Sequence, residues 1–118
     1  MTHLALAVRD EERSRRFYET YFGFDAEPAE RMSDGVLMLF DGEGFSLALK
    51  ETDEAISLPS FFHFAFRGAS SPDEVRAFRD RLKQDDVPVS EEWDEPDYVS
   101  VKCQDPDGYV VEVAWEPD

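Results

Sequence analysis

The sequence predicts an α+β fold built from two tandem copies of one strand–helix–three-strand unit, βαβββ. Three observations point there. At 118 residues the chain has the length of a single domain, 1–118. The order of apolar runs, helix signals and turn residues occurs once and then begins again. Two stretches also repeat residue for residue. His3-Leu4-Ala5-Leu6 matches His63-Phe64-Ala65-Phe66, and Asp41-Gly42-Glu43-Gly44-Phe45 matches Asp105-Pro106-Asp107-Gly108-Tyr109. The repeat spans 1–51 and 60–118, joined by a polar linker at 52–59 that ends in Pro59.

In the first copy, Leu4 to Val8 is an apolar run too short for a helix, which makes it a strand. Asp10 then caps a helix of about twelve residues. Glu11 and Glu12 lie at its positive end, Phe17 and Tyr21 share a face, and Gly23 stops it. Three strands follow, at Glu30 to Met32, Val36 to Phe40 and Phe45 to Leu49, separated by the turns Ser33-Asp34-Gly35 and Asp41 to Gly44.

The second copy opens with a strand at Phe61 to Phe66. Its helix begins at Ser71-Pro72-Asp73-Glu74, which combines a capping serine, a proline at the first helical position and a capping-box glutamate. Val75, Phe78 and Leu82 form the buried face. Pro88-Val89, Tyr98 to Gln104 and Tyr109 to Trp115 supply the remaining strands, the last two joined by the tight turn at Asp105 to Gly108.

Composition excludes several function classes. Against 28 Asp and Glu there are 12 Lys and Arg, and the net charge of −16 repels nucleic-acid backbones and anionic membrane surfaces. A single cysteine, Cys103, rules out an intrachain disulfide and suggests a reducing compartment. No stretch has the apolar length of a membrane span or the core of a signal peptide, so a cytoplasmic location is expected.

The chain has two histidines, and both stand at the start of the first strand of their copy. A strand histidine by itself is usually a rim or core residue; two at equivalent positions point to a shared role. Glu112 is the third member. It lies between Val111 and Val113, where an ionised carboxylate is costly unless paired or bound to a metal, and alternation sets it on the opposite face from both valines. Two imidazoles and a carboxylate make a three-ligand set with open positions for water or substrate, and such sets accept zinc, nickel, manganese, cobalt or ferrous iron. In the strand Tyr98 to Gln104, Tyr98, Ser100, Lys102 and Gln104 share one face. Ser100 and Lys102 are the candidate catalytic residues, with Lys102 able to bind a substrate carboxylate or phosphonate or to act as a base. Cys103 reads as a small buried residue, and Trp93 and Trp115 as packing or rim residues.

On His3 to Val8, Phe17-Tyr18, Phe22-Gly23-Phe24, Phe62 to Phe66 and Asp105 to Tyr109 leading to Glu112, the chain resembles the vicinal oxygen chelate (VOC) superfamily. That superfamily groups glyoxalase I, fosfomycin-resistance transferases, extradiol dioxygenases and bleomycin-resistance proteins. The resemblance implies paired βαβββ modules forming a half-open curved mixed sheet, a homodimer, a small-molecule substrate or drug, and a divalent ion held by the first and last strands. It implies a metal-dependent lyase, transferase or dioxygenase. The alternative is a metal-free protein that confers antibiotic resistance by sequestering a cationic drug.

The ligand set His3, His63 and Glu112 is similar to that of fosfomycin-resistance enzymes, although Ala5 and Lys102 stand where those enzymes have threonine and tyrosine. Ala48 stands where glyoxalase I has a further glutamate. Extradiol dioxygenases use additional histidines, and this chain has no third.

Overall fold

In the computed structural model, which describes residues 2–118, the chain divides into two compact units, Met1–Ser57 and Leu58–Asp118. The first contains β1 (His3–Val8), α1 (Glu11–Phe22), β2 (Glu30–Arg31), β3 (Leu37–Phe40) and β4 (Ser46–Glu51). Its sheet has the order β1-β4-β3-β2. The crossover through α1 makes β1 parallel to β4, while the turns make β2, β3 and β4 an antiparallel meander.

Alternation in β1 buries Leu6 and Val8 and leaves His3, Ala5 and Ala7 exposed. Leu39, Leu47 and Leu49 are fully buried on the same sheet, each worth about 1.5–3 kcal/mol of transfer free energy. α1 packs on β4 and contributes Phe17 and Tyr18 to this core. The helix is capped as its sequence requires. Asp10 accepts from the amides of Glu12 and Arg13, and Gly23 ends it at φ 75°, in the left-handed region.

The second unit contains α2 (Pro72–Gln84), β5 (Val89–Glu95), β6 (Tyr98–Gln104) and β7 (Val110–Trp115), with the sheet order β5-β6-β7. Ser71 caps α2 through the amide of Glu74. Val75 and Leu82 from the helix, and Val99, Val101, Cys103 and Val111 from the sheet, are buried, and α2 packs on all three strands. β5 runs to Glu95, well beyond the Pro88-Val89 signal. Among the described residues no helix is long and apolar enough to cross a membrane.

The expected strand at Phe61 to Phe66 is corrected to a single parallel bridge, Phe64 with Val111. Two hydrogen bonds make it: Phe64 N donates to Val110 O and Glu112 N donates to Phe64 O, at 3.1 and 2.8 Å. Local bonds take the place of the rest of the ladder. Phe62 N donates back to Pro59 O, and the His63 ring bonds Phe61 O at 2.9 Å.

That bridge still fixes the register of the repeat. Leu4 pairs with Leu47 in the first unit, and Phe64 with Val111 in the second. The repeated turns match as well. Asp41 accepts from the amides of Glu43 and Phe45, and Asp105 from those of Asp107 and Tyr109. Each turn closes on a glycine at positive φ, Gly44 at 90° and Gly108 at 91°, which a side chain would strain.

Candidate active site

The second unit carries the polar constellation on the sheet face opposite α2. The antiparallel register aligns Glu91, Lys102 and Glu112 in one row across β5, β6 and β7, with Trp93, Ser100 and Ala114 in the next. A β-bulge between Val89 and Glu91 leaves Ser90 as the extra residue. Ser90 and Glu91 therefore both border the cavity of this face, while Val89 pairs with Cys103 on the apolar side. The cavity, about 250 Å³, is also lined by Phe61, Phe62, His63 and Lys102.

His63 immediately precedes the bridge residue Phe64, and its Nε2 lies 3.7 Å from Glu112 Oε1, with both side chains largely buried. The other nitrogen, Nδ1, is 2.9 Å from the carbonyl of Phe61. A carbonyl only accepts, so Nδ1 carries the proton, and in the neutral ring Nε2 presents its lone pair toward Glu112. The ring edge also meets Phe61, with centroids 5.0 Å apart.

Glu112 is equally constrained. Its Oε2 accepts the Tyr98 hydroxyl at 2.7 Å and the Ser100 hydroxyl at 2.5 Å, which leaves Oε1 facing His63. Burial pushes the Tyr98 phenol above its ordinary range, and Glu112 pushes it the same way, so Tyr98 stays protonated and donates. Ser100 is only 2% exposed.

Lys102 does not bond the Glu112 carboxylate, its partner in register. Its Nζ pairs instead with Glu91 Oε2 at 3.1 Å and lies 5.5 Å from the centre of the Phe61 ring. The indole N–H of Trp93 bonds Glu91 Oε1 at 2.5 Å, and that bond, followed by Lys102, holds the Glu91 carboxyl below its usual range.

Of the residues expected from sequence, the structure brings His63, Glu112 and Ser100 together and sets Lys102 on the same face. His3 lies in the first unit, on the exposed side of β1, with Nδ1 3.1 Å from Thr2 Oγ1. Among the described residues no group of three or more His, Cys, Asp or Glu side chains is gathered as a metal cluster. Sequence reasoning missed Glu91, whose position depends on cross-strand register, and the direct role of Tyr98 on Glu112. Alternation through Tyr98 and Ser100 was the available signal for the second.

The donor pair fits a divalent cation. Nitrogen and oxygen ligands bind such ions at about 2.0–2.2 Å, so two bonds can span the Nε2 to Oε1 separation. Each ligand also has its remaining polar atom tied to a protein group, as oriented metal ligands do.

A family model, Glyoxalase/Bleomycin resistance protein/Dioxygenase superfamily, matches residues 1–113. Among solved structures, a possible glyoxalase from Bacillus cereus is 28% identical with a TM-score of 0.77, covering 96% of each chain. The fosfomycin resistance protein FosX from Listeria monocytogenes is 22% identical with a TM-score of 0.80, covering 99% of this chain and 91% of that one. A mutant of that protein is complexed with Mn(II) and 1S,2S-dihydroxypropylphosphonic acid. Lactoylglutathione lyase from Agrobacterium tumefaciens is 22% identical with a TM-score of 0.70, covering 97% and 91%. No curated protein matches the chain in sequence. With the family model spanning nearly its whole length, the chain belongs to the glyoxalase/bleomycin resistance protein/dioxygenase superfamily.

Proposed function

We propose that the protein is a divalent-metal-dependent enzyme acting on a small oxygenated substrate, with His3, His63 and Glu112 as the ligands. The observation that carries this reading is the 3.7 Å approach of His63 Nε2 to Glu112 Oε1, with the companion atoms of both groups held by Phe61, Tyr98 and Ser100. When bound, such an ion supplies Lewis acidity toward a developing oxyanion. Tyr98 and Ser100 keep Glu112 in one rotamer. Lys102, fixed by Glu91, presents an ammonium group to a carboxylate or phosphonate in the cavity. The buried thiol of Cys103 fits a cytoplasmic protein, and the family resemblance favours a homodimer.

Metal analysis tests the reading. Untagged protein should hold or take up close to one equivalent of zinc, manganese or nickel per chain. His63→Ala and Glu112→Ala should each lose it. A protein that stays metal-free after loading overturns the proposal. Turnover is then sought with dicarbonyl–thiol adducts, epoxides and catechols.

A second reading is metal-free capture of a cationic drug, favoured by the charge of −16 and by the aromatic surface of Phe61, which is 79% exposed. A melting temperature that rises with a bleomycin-like cation in metal-stripped protein would support it.

A further inference from the structure

The cations of this acidic chain are concentrated on one strand. Of its 12 Lys and Arg residues, four converge on β5. From α2, Lys83 Nζ lies 2.7 Å from Glu92 Oε2, Arg76 donates to both oxygens of Asp94 at 2.8 and 3.0 Å, and Arg79 Nη1 lies 3.6 Å from Asp94 Oδ2. From β6, Lys102 pairs with Glu91. Apolar anchorage of β5 is slight by comparison. Val89 is half-buried, every other residue of the strand is exposed, and β5 has a neighbour in the sheet on one side only. Its ladder with β6 is also interrupted at the bulge. The elements around it are held differently: β6 buries Val99, Val101 and Cys103, and α2 buries Val75 and Leu82.

We infer that β5 is a strap clamped by ion pairs, which opens locally as ionic strength rises and carries with it the wall of the cavity formed by Ser90 and Glu91. Opening β5 breaks its ladder and its ion pairs but uncovers little apolar side chain of its own, so the strand belongs to the least stable part of the unit. Exposed ion pairs weaken when salt screens them, whereas the burial that holds α2 on β6 and β7 does not depend on charge. The rest of the chain responds with the opposite sign. Salt relieves the self-repulsion of a protein with a charge of −16 and so favours its compact state. Rising salt therefore loosens β5 while tightening the sheet it leaves. This holds whatever the cavity binds, and it stands or falls separately from the metal reading above.

Hydrogen exchange of the full chain at neutral pH, in about 0.05 M and about 1 M NaCl, reads the two responses separately, with the two ladders compared within each sample. Amides joining β5 to β6 should exchange about tenfold faster at the higher salt, while those joining β6 to β7 exchange no faster. The double variant Arg76→Gln/Asp94→Asn keeps the net charge and removes the bidentate pair, both members of which lie at the surface. In it β5 should exchange about fivefold faster already at low salt, and the further acceleration by salt should shrink. Arg15→Gln, which breaks ion pairs within α1, should leave β5 as it is in the parent protein. Exchange of β5 that keeps pace with the β6–β7 ladder at both salt concentrations overturns the inference. So does an equal acceleration of both ladders, which would be global loosening, or an unaltered salt response of β5 in the double variant.

Discussion

Ser100, buried in β6, donates its hydroxyl to Glu112 Oε2 at 2.5 Å and so determines which oxygen of that carboxylate faces His63. A serine in this position bears on the proposed metal site through its neighbour. Ser100→Ala removes a hydrogen bond to a charged acceptor, a loss of about 1.5–3 kcal/mol. Metal affinity, measured by competition with a chelator, should fall about tenfold to a hundredfold. Tyr98→Phe should act in the same direction, and Ser100→Thr should restore part of the loss. Unchanged metal affinity in Ser100→Ala would mean that Glu112 needs no orienting partner.

The two repeated turns should differ in their sensitivity. Asp105 is 5% exposed and satisfies the buried amide of Tyr109, whereas Asp41 serves a half-exposed turn. Asp105→Ala should cost about 1–3 kcal/mol in urea unfolding, with Asp41→Ala costing less. Asp105→Asn keeps an acceptor oxygen and should retain most of the stability.

Acid should destabilise the protein through a definable set of carboxylates. The backbone amide and hydroxyl of Ser70 hold Glu74 below its ordinary value of 4.5, Arg31 does the same for Glu11, and Arg76 lowers Asp94. A depressed carboxylate stabilises the fold above its unfolded-state value and loses that contribution as pH falls through its folded-state value. Urea midpoints should therefore be flat from neutral pH down to about 5 and fall below about 4.5, and Glu74→Gln should reduce the fall. A midpoint that rose on acidification would contradict the sign.

Cys103 should be silent in the folded protein. Burial pushes its thiol up to about 12, and Asp105 adds to the shift. A thiol reagent at neutral pH should react slowly with native protein and rapidly in urea, with the native rate following global unfolding. Fast labelling of native protein would show that the packing of α2 on β6 opens readily.

Both helices and their caps were legible in the sequence because capping depends on residues within one turn, as at Asp10 and Ser71. The repeat was legible because it matches residue by residue, and the pairing of Leu4 with Leu47 and of Phe64 with Val111 preserves its register. The strand expected at Phe61 to Phe66 failed where local bonds compete with a ladder. Pro59 and Phe61 supply carbonyls to Phe62 and His63, a contest that apolar periodicity does not reveal. The approach of His63 to Glu112, the two proposed ligands that lie in the second unit, was legible from type and position. Their support was less so, because the Glu91–Lys102 pair depends on which residues face each other across β5 and β6.

The bulge at Ser90 gives this wall of the cavity an unusual freedom. Val89 pairs with Cys103 and Glu91 with Lys102, which are consecutive positions on β6, so Ser90 has no partner in the ladder. Deleting its codon would leave a regular hairpin with every flanking pair unchanged. The contour beside the charged pair can thus be shortened by an indel without rephasing the strand, a route to a new ligand shape that single substitutions do not provide.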